Sequence, residues 1–482
     1  MKYIYTLLFI VGLASFSTAQ NSLWSLERCI THAQQNNLNI QQSSVAVKQS
    51  ELNLKGNKRE YHPSVNGSVS YNFNIGRSVD PTSNDFVSRS IHSNGFSVSA
   101  GALIYSGGRV PSTIQQSEFN IEAAKLDMQD TKNDIGLQVA RAYLQILLAE
   151  EQLANGQLSI KQLEDQLAQT NKLIRAGTLP ANNRLDIEAQ IATSEQTLVA
   201  NQNNVDISYL NLKLLLMLEP AAEFKIEKPT IDVPSADQIG ALSVTSLFDV
   251  AVENQPNIAA GELRRKSAEK GIDIARSAYY PTVSVGGGLN TNYSNIALDQ
   301  ANAQVIPTGF DTTNTQVIFN GVSQNLGIVN PTFDLNIPKS SYFKQLGTNL
   351  SAFIGLQVNI PIYNKGLTEI SIERAKLNVI NTQYTNRILR QGLKSELLRA
   401  IADAKAAAKQ LEASEKSIKA QEAAFANTQR RFEVGTANSF ELNTARNNLD
   451  SAKTLAILAK YDYIFKLKII DFYQGKSISL DK

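Results

Sequence analysis

The feature that most constrains the fold is a set of motifs that the second half of the chain repeats in the same order. The first half has Ser25-Leu26 and then Tyr61-His62-Pro63, and the second half has Ser246-Leu247 and then Tyr280-Pro281. The other matched motifs are Ile104-Tyr105 with Ile362-Tyr363, and Ala176-Gly177-Thr178 with Val434-Gly435-Thr436. Because internal repeats fold into equivalent units, we expect each half to contain the same succession of elements.

Within each half, the sequence predicts a helix, then a pair of strands, then a long helical hairpin. The first helices span about residues 25–60 and 244–279, and each ends at a proline, because the residue before proline is pushed out of the helical region. Apolar residues then alternate with small polar residues, which is the pattern of strands that have one apolar face. The four predicted strands span residues 65–75, 96–104, 283–293 and 350–362.

The helices that follow the strands are unusually long. No proline occurs between Ser112 and Leu173, and at 1.5 Å per residue this helix extends roughly 90 Å. Its counterpart covers residues 367–432. Glycine-containing turns end both helices, and return helices begin near residues 182 and 439. The second strand pair also encloses a segment rich in Asn, Thr, Gly and Pro, which we expect to be a long external loop.

These elements divide the chain into a signal, two repeats, a connector and a short tail. The expected boundaries are 1–19 for the signal peptide, 20–218 for the first repeat with its strand hairpin at 63–106, 219–245 for the irregular connector, 246–473 for the second repeat with its strand hairpin at 281–363 and loop at 294–349, and 474–482 for the C-terminal tail.

The N-terminus has the three parts of a secretory signal peptide. Lys2 supplies the positive charge, Leu7 to Leu13 the apolar stretch, and Ser17-Thr18-Ala19 a cleavage site of small residues. The mature chain is then expected to begin at Gln20. No later apolar run reaches about 18 residues, so we expect no transmembrane helix. An exported chain of this kind is periplasmic, secreted or inserted in the outer membrane as strands.

Charge and reactive residues exclude several classes of function. The 46 basic residues nearly balance the 44 acidic ones, which gives no reason to expect a nucleic-acid partner. The single cysteine, Cys29, lies in a predicted helix, where burial as a small apolar residue is expected. The three histidines are far apart in sequence, and no zinc, phosphate-loop or nucleophile motif is present. We therefore expect no catalytic site, no metal and no cofactor.

The strands have the length and patterning of membrane-crossing segments. One side is apolar and fits lipid, while the other is small and polar and fits an aqueous lumen. The residues expected to face lipid are Val69, Tyr71, Phe73, Val98, Val285, Ile354, Leu356 and Val358. Four strands cannot remain an open sheet in lipid, because their edge N–H and C=O groups would be unpaired, so closure requires more than one copy. A soluble sheet also alternates, and a soluble antiparallel coiled coil also explains the helices, but the coiled coil leaves the strands unexplained.

In the order of these motifs, the chain resembles the TolC family of outer-membrane efflux proteins over nearly its whole length after the signal. The resemblance implies a mixed α and β membrane protein made of two tandem repeats. Three copies would share a 12-stranded transmembrane β-barrel, with four strands per chain, continued by a long periplasmic α-helical barrel. The implied location is the outer membrane, extending into the periplasm. The resemblance implies a homotrimer. The other implied partners are a periplasmic adaptor, an inner-membrane transporter and outer-membrane lipid.

The resemblance also assigns roles to the two helical turns. Members of the family contact the adaptor through these turns, which correspond here to Ala176, Gly177, Thr178 and Leu179, and to Val434, Gly435 and Thr436. The alternative interpretation is that the glycines simply end helices. Family members also close the periplasmic end with acidic residues beyond the second turn, where this chain has Glu441 and Thr444. Arg184 is the corresponding residue of the first half, so a latch between Arg184 and Glu441 is a hypothesis; exposed residues on solvated helix faces are the alternative.

These observations favour a passive exit duct of a tripartite efflux pump or type I secretion system. Such a duct needs no catalytic group, because the inner-membrane transporter supplies the energy. The alternatives are a periplasmic coiled-coil structural or adaptor protein without a pore, and a periplasmic enzyme. The sequence does not identify the transported substrate.

Overall fold

The computed structural model describes residues 23–79, 84–88, 90–229 and 244–480. The predicted signal peptide and the middle of the predicted connector, residues 230–243, lie outside these ranges. The chain divides into two compact units, which we call the helical unit and the β unit. The helical unit contains the chain up to Leu54, Gln115–Glu269 and Lys376–Lys482, and the β unit contains Lys55–Ile114 and Lys270–Ala375.

The described residues contain nine α-helices. They are α1 (Leu26–Asn36), α2 (Leu38–Lys58), α3 (Arg109–Arg175), α4 (Asn182–Leu215), α5 (Val244–Asn254), α6 (Pro256–Arg276), α7 (Tyr342–Thr348), α8 (Leu367–Glu433) and α9 (Ser439–Tyr473). The two long helices, α3 and α8, each have 67 residues, which corresponds to about 100 Å. The prediction of two very long helices, each followed by a shorter return helix, is confirmed. Among the described residues, no helix has both the length and the apolar character needed to cross a membrane.

The first predicted helix of each half is interrupted, so the prediction of one continuous helix was wrong. Asn37 separates α1 from α2 with an extended backbone (ψ 130°), and its Oδ1 accepts from the N–H of Asn39 at 3.0 Å. In the second half Gln255 separates α5 from α6 and precedes Pro256, which disfavours a helical residue before it. Asparagine interrupts a helix because its side chain competes for the backbone N–H groups.

Two apolar clusters form the core of the helical unit. In the first, Leu26 and Cys29 of α1 pack with Val139 and Tyr143 of α3 and Leu212 of α4. Cys29 is fully buried, as predicted, and burial raises the pKa of its thiol to about 12. The second cluster is built from the equivalent helices of the other half, because it joins α5 to α8 and α9. Its most buried members are Ala251, Leu397, Ala404 and Tyr463.

The β unit is built on an antiparallel sheet with the strand order β1-β4-β5-β8, so the four predicted strands are confirmed. Its strands are β1 (Ser64–Asn74), β4 (Ile91–Ser106), β5 (Thr282–Ser294) and β8 (Ser351–Asn359). The shorter strands β2 (Arg77–Val79) and β3 (Phe86–Ser88) pair with each other between β1 and β4. Within the part of the chain that the structure describes, the two outer strands, β1 and β8, each pair on one side only.

The segment at 294–349, predicted as a long loop, does link β5 to β8, and it has regular structure. It forms the long strands β6 (Gln304–Phe319) and β7 (Val322–Asn336), followed by α7. Asn320 and Gly321 link the two strands with φ angles of 51° and 77°, as in a type I′ hairpin turn. The high Asn, Thr and Gly content that suggested a loop is therefore the composition of a long exposed hairpin.

A tight glycine junction connects β4 to α3. Gly107 and Gly108 have φ angles of 64° and 86°, which favour glycine. Gly107 also lies against the 3-10 turn that precedes β5: a Cβ atom on Gly107 would lie 2.6 Å from the carbonyl oxygen of Ser277 and 2.9 Å from Cβ of Tyr280. The space beside Gly108 is open to 4 Å. Gly107 is therefore required both for its backbone angle and for close packing between the two halves of the sheet.

Candidate functional site

The first helical turn ends α3 with a Schellman motif. The N–H of Gly177 donates to the carbonyl of Ile174, and the N–H of Thr178 donates to that of Leu173, both at 3.0 Å. The hydroxyl of Thr178 donates to the same Leu173 oxygen at 2.9 Å. Gly177 has a φ of 75°, which explains why the sequence has glycine here.

The second turn repeats this geometry at the end of α8. The N–H of Gly435 donates to Phe432 O at 3.0 Å, and the N–H of Thr436 donates to Arg431 O at 2.7 Å. The hydroxyl of Thr436 also donates to Arg431 O, at 3.0 Å. Gly435 has a φ of 77°. The Gly-Thr pair in each turn thus satisfies the last carbonyls of a long helix without using any side chain from elsewhere.

Both turns present an open surface. Ala176, Gly177 and Thr178 are exposed, and Leu179 is half-buried. Val434, Gly435 and Thr436 are also exposed, and 73% of Val434 is accessible. No atom lies within 4 Å of a Cβ built on either glycine. The turns therefore have the accessibility that a docking surface for another protein requires.

The predicted latch residues lie beyond these turns, and in a single chain each pairs with a neighbour. Arg184 lies 3.4 Å from Glu188 on α4, and Glu441 lies 3.2 Å from Arg431 across the second turn. Thr444 is exposed, one turn further along α9. Among the described residues Arg184 and Glu441 do not pair with each other, so a latch between them is a hypothesis about contacts between copies.

The start of α9 is fixed by two polar contacts that the sequence did not predict. The side chain of Asn438 caps the helix by accepting from the N–H of Glu441 at 2.8 Å. The hydroxyl of Ser439, which is buried, donates to Asp186 of α4 at 2.6 Å. This contact joins the two helical hairpins near the turns.

A crevice of about 330 Å³ lies between α3, α8 and α9, above the second turn. Arg446 lines it and is 8% exposed; its Nη1 has no hydrogen-bond partner among the described residues, and its guanidinium lies 5.2 Å from the ring centroid of Phe425. Burial lowers the pKa of Arg446, and the nearby Asp450 opposes this effect. Arg446 was not among the predicted site residues, although its position between Leu442 and Leu449 on one helical face is a usable signal.

The strand residues predicted to face lipid share one face of the sheet. Cross-strand partners lie on the same side, and the register pairs Ala102 with Val285 and Val285 with Leu356. All eight predicted residues lie on this side: Val69, Tyr71, Phe73, Val98, Val285, Ile354, Leu356 and Val358. Most of them are exposed, from 49% for Phe73 to 85% for Ile354.

The opposite face of the sheet is small and polar. One row across all four strands consists of Ser68, Ser97, Asn290 and Ser351. The hydroxyls of Ser68 and Ser97 are hydrogen-bonded at 2.8 Å. The apolar residues on this face are Ile91 and Leu103 of β4 and Phe353 of β8, and the ring of Phe353 covers Gly288 on the neighbouring strand. In the described ranges, no group of three or more His, Cys, Asp or Glu residues is arranged to hold a metal ion.

The chain is similar to known proteins over both of its halves. The family described as "Outer membrane efflux protein" matches residues 29–216 and 247–468, one stretch in each half. The outer membrane efflux protein BepC of Brucella suis biovar 1 is 21% identical over 446 residues, which cover 91% of this chain and 83% of BepC. Alignments to three other curated relatives cover 57%, 39% and 45% of the relatives' lengths, so the chain spans about half of those proteins.

Solved structures share the fold. The outer membrane protein VceC of Vibrio cholerae superposes with a TM-score of 0.68 at 12% identity, covering 94% of this chain and 97% of VceC. The CmeC outer membrane channel of Campylobacter jejuni gives a TM-score of 0.68 at 14% identity, covering 96% of this chain and 87% of CmeC. Together with the family match over both halves, these likenesses confirm the resemblance to TolC-like channels: the chain belongs to the outer membrane efflux protein family.

Proposed function

We propose that the protein is the outer-membrane exit duct of a tripartite efflux pump or type I secretion system, in which three copies enclose one pore. It conducts substrate passively, and an inner-membrane transporter supplies the energy. The observation that carries the proposal is the β1-β4-β5-β8 sheet, because it has one apolar face, one polar face and two unpaired edges. The match to the outer membrane efflux protein family supports the same conclusion.

The unpaired edges explain why several copies are needed. In lipid, each unpaired N–H or C=O group costs several kcal/mol, so a spanning sheet must be closed. The smallest barrels of this kind have about eight strands. Pairing β8 of one copy with β1 of the next closes the sheet, and three copies supply twelve strands. The apolar face then contacts lipid, while the row of Ser68, Ser97, Asn290 and Ser351 lines the pore.

The helices extend this pore into the periplasm. Each copy contributes two helices of 67 residues, and about 100 Å of helix is long enough to cross much of that compartment. Adaptor hairpins dock at the two exposed turns, where Gly177 and Gly435 leave room for another backbone. Residues near the turns close this end, with Arg184, Glu441 and Thr444 as candidates. An Arg184–Glu441 contact between copies would serve as the latch.

The polar face of the sheet indicates what can pass. Serine, asparagine and glycine dominate it, and it has almost no charged residues. Such a wall favours broad passage over strong ion selectivity, so substrate choice lies with the adaptor and the transporter.

The proposal is tested by placing a charge on either face of β8. Leu356 and Gln357 are adjacent, and successive residues of a strand point to opposite faces. A lysine in the middle of the lipid face costs about 2–4 kcal/mol, whereas lumen positions tolerate it. Leu356→Lys is therefore expected to reduce the protein in outer-membrane fractions, and Gln357→Lys to insert normally and shift the pore towards anions in planar bilayers.

Equal recovery of both variants from the membrane would contradict this assignment of faces. A wild-type protein that is recovered only from the soluble periplasm, with no conductance in bilayers, would instead support a coiled-coil adaptor without a pore.

A further inference from the structure

A set of polar contacts, which we call the root, holds the base of the β6–β7 hairpin to the rim of the sheet. Gln345 of α7 is 3% exposed, and its amide donates to the carbonyls of Ser294 and Ser340 at 3.0 and 2.9 Å. The N–H of Ser294 donates back to Gln345 Oε1 at 2.9 Å. The ion pair of Lys344 with Asp299 and the bond from Asn349 Nδ2 to Asn292 O, at 2.8 Å, add to this root. The hairpin therefore leaves the sheet from a fixed base.

Beyond the root, the hairpin is not covered by any other part of the described ranges. Every described residue of β6 and β7 is exposed along strands of 16 and 15 residues. An isolated two-stranded hairpin is at best marginally stable in water, and three strands or a packing partner are needed for independent stability. A ribbon of this length is therefore expected to be covered by another surface.

Ten apolar residues of the hairpin form two clusters, defined by the strand register. The base cluster lies on one face and consists of Val305, Phe310, Val329, Phe333 and Leu335. The tip cluster lies on the opposite face and consists of Val317, Phe319, Val322, Leu326 and Ile328. All ten side chains are between 44% and 75% exposed. Exposed apolar patches of this kind mark interaction sites.

Charge and edge protection restrict what can cover the clusters. Residues 304–336 contain Asp311 and Asp334 but no basic residue, and both acids lie on the face of the tip cluster, on the root side of that cluster. Near the root, Pro307 and Pro331 protect the strand edges from pairing with another strand. Residues 312–319 and 322–330 have neither proline nor charge, so their edges lack this protection. The cluster residues themselves carry no charge, so an uncharged apolar surface fits them, and the tip cluster of another copy presents such a surface.

We propose that the β6–β7 hairpins of neighbouring copies pack against one another through their tip clusters and narrow the outer mouth of the pore. This inference rests on the proposed trimer, which tethers the hairpins close together and so raises their effective concentration. The hairpin root lies at the Ser294 and Ser351 end of the sheet, opposite the Ser106 and Thr282 end where the chain continues to α3 and arrives from α6. In the proposed duct this end faces the exterior.

Cysteine cross-linking tests the contact with a matched pair of variants. Leu326 belongs to the tip cluster, and the adjacent Asn325 is also exposed, on the opposite face. Cys29 is buried and does not interfere. In the purified wild-type assembly, oxidation is expected to yield disulfide-linked dimers from Leu326→Cys and none from Asn325→Cys. Equal linking of the two variants, or none from Leu326→Cys, would overturn the inference, as would linking of Leu326→Cys in cells to a different protein alone.

Conductance separates this inference from the proposed function. Phe319→Ser removes a tip-cluster side chain, and Ile318→Ser removes a neighbouring apolar side chain of similar exposure (70% and 75%) from the opposite face. Both variants are expected to remain trimeric, and only Phe319→Ser is expected to raise the single-channel conductance. Trimeric pores with unchanged conductance in both variants would overturn the hairpin contact and leave the duct intact. Wild-type protein that is neither trimeric nor conducting would overturn the duct itself.

Discussion

Gly107 provides a sharp test of the junction between the strands and the long helices. In Gly107→Ala, the alanine must adopt a left-handed backbone conformation, which costs about 1–2 kcal/mol for an L-residue. The new Cβ atom would also lie 2.6 Å from the carbonyl oxygen of Ser277. This oxygen accepts a hydrogen bond from the N–H of Tyr280 at 3.0 Å in the turn before β5. Forcing an extra methyl group into a packed site costs about 1–3 kcal/mol. The expected loss of stability is therefore about 2–5 kcal/mol.

Two other glycines supply matched controls. Gly108 and Gly366 also have positive φ angles, of 86° and 74°, but nothing lies within 4 Å of a Cβ at either position. Gly108→Ala and Gly366→Ala are therefore expected to lose only the backbone contribution, about 1–2 kcal/mol. The assay is thermal unfolding of the purified proteins in detergent, under one set of conditions. If Gly107→Ala unfolds at the same temperature as the two controls, close packing at this junction is refuted.

Three further predictions concern the helical unit. Arg446→Met is expected to increase stability by about 1 kcal/mol and so to raise the unfolding temperature, because it removes the buried Nη1 donor, which has no partner among the described residues. Asp450 keeps the hydrogen bond that it accepts from Ser159 at 2.8 Å. An unfolding temperature below that of the wild type would contradict this expectation. Burial, followed by the charges of Asp134, Asp127 and Glu396, raises the pKa of Asp130 from 3.8 to about 6. The folded state therefore binds a proton before the unfolded state does, and stability should rise as the pH falls from about 6 to 3.8; Asp130→Asn should flatten this part of the profile, and an unchanged slope would count against it. Cys29 should not react with maleimide until the protein is denatured, because it is fully buried; rapid labelling of the folded protein would disprove its place in the core.

The parts of the fold that the sequence predicted are those in which one period extends over a whole element. The alternation from Val65 to Phe73 matches β1 because every second residue lies on one apolar face. The long helices were predictable because proline is absent and because Gly177 and Gly435 mark their ends. Both turns were also located correctly, since a positive φ is a local requirement that selects glycine.

The parts that the sequence did not predict depend on changes of pattern or on tertiary contacts. The β6–β7 hairpin was missed because its apolar residues change faces midway, so no single alternation covers Gln304–Asn336. The break at Asn37 depends on a side chain that also donates to Leu215 O, a residue distant in sequence. Arg446 was missed because the helical pattern shows that it faces inward but does not show that its Nη1 lacks a partner among the residues described.

The mass of the assembled protein tests most directly the claim that a four-stranded sheet with two open edges must be closed by further copies of the chain, three of which share one pore in the proposed duct. Native mass spectrometry of the protein extracted from outer membranes in mild detergent gives this number. The proposed duct predicts a single species with three chains. A species of one chain that stays folded without detergent would contradict the shared pore wall and the function built on it.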